Sequence, residues 1–217
     1  MIPGSSFLLI LELFVKPFEA SHAPLYKEKE QVHFRRERFF VDGRKLSGML
    51  HEILQSGFFL ESCSFTGQQL RAGDHRACLL QSMMLLDARY VPGFVLSGFS
   101  EDSVSEYAQS IREVYSDKQS NMLRSVIQYL TDAFPERNQH LKKISIPIVA
   151  YIVDMAMDEG IEPLSFRQWW DFFTQEDPLF EAYRTFCGSS SGEREKIYGR
   201  LAVMAKSFAA YHGIKSP

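Results

Sequence analysis

The sequence predicts a mainly α-helical protein: a multi-helix bundle over residues 44–217, preceded by a short N-terminal segment, residues 1–43, with room for two β-strands. Three observations predict it. From Arg44 onward, apolar residues recur three or four apart in one stretch after another. The edges of those stretches carry helix punctuation: Asp74 or Ser100 before a start, Pro163 at a first turn, Gly160 and Gly213 after an end. The composition is globular, with 45% apolar and 24% charged residues among 217, which supports a sizeable core and excludes wholesale disorder.

The N-terminal segment reads differently from the rest. Phe7 to Val15 is an apolar run, residues 16–31 form a polar loop with Pro17 and Pro24, and Val32 to Val41 is a β-prone run ended by the turn signal Asp42-Gly43. The apolar run contains Glu12, has no basic residue before it, and is far shorter than the roughly twenty residues a membrane span needs. It reads as a buried strand or short helix, and no membrane partner is expected.

Helices follow in order. Leu46, Met49, Leu50, Ile53 and Leu54 share one face, and Gly57 is placed to close that helix. Asp74 caps the next, with Ala77, Cys78, Leu80, Met84 and Leu85 inward and Pro92-Gly93 as its stop. After Ser100 an amphipathic run carries Val104, Tyr107, Ala108, Ile111, Val114 and Tyr115, and the same kind of register continues through Met122, Leu123, Val126, Ile127, Leu130 and Phe134 to Pro135. Ile144 to Met157 is apolar almost all round, with Pro147 first and Gly160 last, so it is expected at the centre. Pro163 opens a helix with an aromatic stripe of Phe166, Trp169, Trp170 and Phe173. Asp177-Pro178 caps another that ends at Cys187-Gly188. Ser190 and Glu193 have capping-box spacing before a last helix that presents Ile197, Leu201, Met204, Phe208 and Tyr211.

Chemistry is sparse. His51, Cys63, His75 and Cys78 are the one mixed set of nitrogen and sulfur ligands, and His75 and Cys78 share a helix face. Cys63 and His51 stand alone, however, and Cys78 falls on the apolar side, so core thiols are expected rather than a metal. Cys187 sits at a helix end where the dipole raises a thiol pKa, and no G-x-S-x-G elbow surrounds Ser189 to Ser191. Neither glycine-rich phosphate motif is present, and no cofactor is expected. Asp158-Glu159 at a helix C-terminus calls for a tertiary cation, with Arg167 as the candidate. Three cysteines, an odd count, fit a reducing cytoplasm better than a disulfide framework.

Two surface features point to binding. Arg35, Arg36 and Arg38 alternate with Phe34, Phe39 and Phe40, which suits phosphate contacts and base stacking and makes DNA a candidate partner. Lys142, Lys143, Arg194, Lys196, Arg200 and Lys206 add cations, while Glu193 and Glu195 offset them. The net charge of −3 and isoelectric point near 6.1 exclude a generally basic coat. Trp169 and Trp170 are adjacent, so one of them is expected outside the core as a protein contact.

Lys143, Ser145, Ile146, Pro147 and Tyr151, followed by Gly160, Ile161, Pro163, Phe166 and Arg167, form a connected pattern. Tyr183 to Gly188, Glu195-Lys196 and Gly199-Arg200-Leu201 continue it, and Arg71 with Asp74 is a fainter echo upstream. The pattern resembles the helical C-terminal region of the "domain of unknown function 262" family, the GmrSD-type ParB-like nucleases of bacterial defence, over about residues 70–212. That family's catalytic motif is apolar-x-D-G-Q-Q-R. Val41 to Leu46 keeps the Asp-Gly without the glutamines, and Thr66 to Arg71 keeps the glutamines without the aspartate. No H-N-H nuclease module follows before Pro217. The resemblance therefore implies the helical region without the catalytic ends, and no catalytic residue is carried over. It implies a non-catalytic accessory or interaction protein of prokaryotic defence that acts through a protein partner, such as a nuclease subunit, or through DNA. Two alternatives stand beside it. One is a minimal DNA nuclease assembled from Asp42, Arg44, Gln68 and Gln69, dependent on a metal or a nucleotide. The other is a helical scaffold that self-associates through an exposed Trp169 or Trp170.

Overall fold

The computed structural model describes residues 44–214 of the chain. The apolar run, the basic run with Arg35, Arg36 and Arg38, and Asp42 lie outside the described residues. Among the described residues there are nine α-helices, one π-helical turn and no strand, so the mainly α expectation holds. The helices are α1 (Arg44–Leu54), α2 (Gly67–Arg71), α3 (Asp74–Tyr90), α4 (Glu101–Ser110), α5 (Asp117–Ala133), α6 (Ile146–Asp158), α7 (Pro163–Gln175), α8 (Leu179–Thr185) and α9 (Arg194–His212). The π-helical turn is Phe58–Ser62. No helix among the described residues is long and apolar enough to cross a membrane.

Helix α6 sets the arrangement. Every residue from Ile146 to Ala156 is buried, so the helix has no solvent face and needs neighbours on all sides. Helix α3 makes the most extensive packing against it, and α5 and α9 close the other sides. Helix α7 packs on α5 and α9, α8 on α9, and α1 and α4 on α3. Pro147 in the first turn and Gly160 at φ +67° after the last bound α6 as its sequence suggests.

Several boundaries differ from expectation, each for a local reason. The long run from Val104 to Phe134 is two helices. Ser116 adopts extended backbone and caps α5, its hydroxyl accepting from the Gln119 N–H at 3.2 Å while the Gln119 side chain accepts from the Ser116 N–H at 3.0 Å. Val114, left in the break between α4 and α5, is exposed. Gly57 does not end α1. It adopts right-handed helical backbone and leads into the π-helical turn, which buries Phe58 and Phe59. The Ser190–Glu193 capping box does not form: Ser190 sits at φ +60°, its carbonyl accepts from the Glu193 N–H, and the Glu193 side chain makes no cap. Tyr211 is 42% exposed and lies against Phe172 rather than inside.

Both tryptophans are core residues, which corrects the expectation that one is exposed. Trp169 is 0% exposed and Trp170 1%. Adjacent residues diverge by about 100° around a helix, so both are buried only when the helix is flanked on two sides. Helix α7 is. The Trp169 ring lies 5.0 Å from Phe208 of α9, and Trp170 meets Phe134, just beyond α5, at 6.2 Å. Each indole N–H has a partner: Trp169 donates to Ser207 Oγ at 3.0 Å and Trp170 to Asn138 Oδ1 at 3.4 Å. A scaffold that self-associates through an exposed tryptophan here is thereby removed.

The acidic end of α6 finds its cation in Arg89, not Arg167, whose guanidinium pairs instead with Asp171. Arg89 stands in the last turn of α3, where a cation is favoured. Its Nη1 donates to Asp154, its Nη2 to Asp158, and Tyr90 donates to Asp154 at 2.9 Å. The Arg89 and Asp154 side chains are each 5% exposed. Removing one partner of a buried pair strands the other charge, so Arg89→Ala is expected to lose about 3–5 kcal/mol of stability. Arg89→Met with Asp154→Leu, which removes both charges, is expected to lose much less. Urea unfolding of the two variants beside the parent chain checks this.

Candidate functional site

The buried acids are held by internal donors. Asp87 of α3 accepts from the Tyr107 hydroxyl at 2.7 Å and from Gln119 Nε2 at 2.8 Å, which ties α3 to α4 and α5. Burial pushes its carboxyl above the usual aspartate range, and those two hydrogen bonds pull it partly back. Asp154 is likewise raised by burial, against the pull of Arg89 and Tyr90. Asp177 accepts from the Leu179 N–H at 2.8 Å, opening α8, and from the Ser207 hydroxyl of α9. None of the three lines the cavities described below.

The other reactive side chains are less fully satisfied, and His75 Nδ1 is buried without a hydrogen-bond partner. Cys63 and Cys78 are buried thiols, pushed well above the ordinary range by burial. Cys78 Sγ donates to the Lys143 carbonyl at 3.3 Å, joining α3 to the turn before α6. The His75 ring meets Phe65 edge-on. Among the described residues no three His, Cys, Asp or Glu side chains are grouped to hold a metal ion. Gln69 has a capping task. Its Oε1 accepts from the Thr66 N–H at 2.8 Å, and Thr66 Oγ1 accepts from its N–H at 3.2 Å. The glutamine pair that echoed a nuclease motif is thus partly engaged in starting α2.

Two clefts share Ile144 as a common wall, and each has cations in its lining. The first is a cavity of about 210 Å³ lined by Asp74, Cys78, Phe99, Lys143, Gly192 and Arg200, among others. One wall is built by a close approach of two loops. The Phe99 N–H donates to the Gly192 carbonyl at 2.7 Å, and Gly98 pairs with Glu193 in an isolated antiparallel bridge. Gly98 lies at φ +149°, and a Cβ there would stand 2.9 Å from the Gly192 oxygen, so the approach needs glycine. Lys143 Nζ pairs with Asp74 Oδ2 at 3.2 Å.

Arg200 is the unusual member of this cavity. It is 1% exposed, its Nη1 donates to the Phe186 carbonyl at 2.8 Å, and its Nε has no partner. Among the described residues no carboxylate lies within ion-pair distance of it. Burial pushes its pKa down, opposed by Tyr183 and Cys187 nearby. The preceding Gly199 lets the Phe186 ring press on α9; a Cβ at Gly199 would fall 2.5 Å from that ring.

The second cleft, about 370 Å³, is lined by Trp170, Phe180, Tyr183, His140, Lys142 and Arg184, with no acid in its lining. Phe180 and Tyr183 stack at 6.0 Å. Burial lowers the His140 pKa, with a contribution from Lys142. A third and larger cavity, about 430 Å³ between α1 and the α4–α5 turn, interleaves Glu52, Glu113 and Asp117 with Arg112 and Arg124, so its charges largely offset one another.

The cations noted in the sequence are therefore dispersed. Lys142 and Lys143 face different clefts, Lys196 lies over the Phe186 ring, Arg194 over Tyr198, and Arg200 is interior. The signal for Arg200 was present in its spacing, three after Ile197 and four before Met204, on the stripe of α9 that faces the core. Compared with protein families, with curated proteins and with solved structures, the chain finds no match.

Asp87 offers a test of how the interior is held. Its raised pKa means folding favours the protonated form. That contribution is complete below the ordinary aspartate value of 3.8 and is lost as pH rises through the folded value. Asp87→Asn does not titrate, so its stability relative to the parent chain is expected to rise from about pH 4 to about pH 7. Chemical denaturation at three pH values reads the slope; a constant difference would contradict it.

Proposed function

We propose that this chain is a non-catalytic helical accessory module that acts by binding, similar in role to the helical region of a GmrSD-type defence nuclease. One observation carries the reading. Among the described residues the buried acids Asp87, Asp154 and Asp177 are each held by internal donors, whereas Lys142, Lys143, Arg184 and Arg200 line the two clefts around Ile144, whose one lining acid is Asp74. Such an arrangement suits binding through charge, and among the described residues the buried acids are committed to internal hydrogen bonds. The motifs at Lys143 to Arg167 and Gly199 to Leu201 support the family likeness, and the same motifs supply Lys143 and Arg200 to the first cleft. The reading favours a negatively charged partner, either DNA or an acidic face of a protein such as a nuclease subunit.

Fluorescence anisotropy of labelled duplex DNA across a salt series tests it. Binding is expected at low salt and is expected to weaken steeply as salt rises, because each phosphate contact releases a counterion. Lys142→Glu with Arg184→Glu is expected to weaken binding several-fold if the second cleft carries it, and Arg35, Arg36 and Arg38 changed to Ala report on the basic run. No DNA binding together with co-purification of an acidic protein would place the role with a protein partner. Neither DNA binding nor a protein partner, or DNA cleavage lost on Asp42→Ala, would overturn the reading.

A further inference from the structure

Five charged side chains among the described residues are buried, and four of them, Asp87, Asp154, Asp177 and Arg89, each have at least two hydrogen-bond partners. Arg200 is the exception. A guanidinium carries five N–H donors, and Arg200 makes one hydrogen bond, to a neutral carbonyl. A buried cation without an opposite charge is costly to maintain and is ordinarily paired. Arg200 is enclosed but borders a cavity. It lines the cavity of about 210 Å³ next to Lys143, Gln81, Ser191 and the Gly192 backbone, a wall fixed by the Phe99–Gly192 hydrogen bond. The one acid in that lining, Asp74, is held by Lys143 at 3.2 Å. Glu193, next along the chain, is exposed and is not part of the lining.

We propose that this cavity is a binding site for a compact oxyanion, a phosphate or carboxylate group, seated between Arg200 and Lys143. With Nη1 held by the Phe186 carbonyl and Nε enclosed, the guanidinium has its remaining N–H donors to offer, and the ammonium and Ser191 hydroxyl supply others. The bound anion provides the opposite charge that Arg200 lacks within the described chain. This inference stands whether or not the chain binds DNA, because the site is a cavity for one small group and not a surface for a duplex.

Thermal unfolding of the full chain tests it, with inorganic phosphate and acetate each compared with sodium chloride at matched ionic strength. Phosphate is expected to raise the midpoint by about 2–4 °C, saturating at millimolar concentration. General salt exclusion would instead keep rising with concentration. A rise with acetate as well assigns a general oxyanion site, and a rise with phosphate alone assigns a phosphate site. Arg200→Met is expected to be at least as stable as the parent chain without added anion, and to lose the anion-dependent rise. Ser191→Trp, which fills the cavity from its loop and leaves Arg200 in place, is also expected to lose the rise, and it decides the matter if Arg200→Met does not fold. No saturable rise in the parent chain, or a rise that survives both substitutions, would overturn the proposal.

Discussion

A helix with no solvent face governs this protein. Helix α6 is buried from Ile146 to Ala156, and a cylinder that is apolar all round is stable in water only when other helices enclose it. The roles of α3, α5 and α9 follow from that requirement, since each presents a face to α6. Helix α7 then packs on α5 and α9 with its own double-sided aromatic face. The same enclosure explains why large side chains such as Trp169, Trp170, Phe166 and Phe208 form one continuous cluster.

Apolar burial alone does not choose one arrangement of helices, because it is non-directional. The polar groups placed within it supply direction. Arg89 ties α3 to α6, Asp87 ties α3 to α4 and α5, and Asp177 with Ser207 and Trp169 ties the α7–α8 turn to α9. Each tie satisfies donors and acceptors that would otherwise be stranded. Asp87, Asp154 and Asp177 are thereby positioned as fasteners.

Much of this was legible in the residues. The periodicity of α1, α3, α6 and α9 and the stops at Gly160 and Gly213 are local signals that match the structure, whereas Gly57 as a stop and the Ser190–Glu193 spacing are local signals that do not. The misses came from two sources. Some were overlooked local signals: Ser116 with Gln119 is a capping box inside an otherwise continuous apolar run, and Thr66 with Gln69 is another. Others depended on tertiary neighbours. That both tryptophans are interior depends on α7 being flanked on two sides, and that Arg89 serves the end of α6 depends on α3 lying along it. The clefts were not legible, because Lys143 and Arg200 are brought together only by the packing of α3, α6 and α9. Arg200 could be placed on the inward stripe of its helix, but the sequence carries no sign that a counter-charge is lacking there.

Among the described residues Arg200 is the one buried charge without an opposite charge beside it, and the proposed oxyanion would supply that charge. The most direct measurement is anomalous diffraction from crystals of the full chain grown with selenate, a heavy-atom mimic of a tetrahedral oxyanion. The account predicts an anomalous peak in the cavity between Arg200 and Lys143. A cavity without that peak while selenate binds elsewhere, or an acidic side chain of the chain itself seated against Arg200, would contradict it.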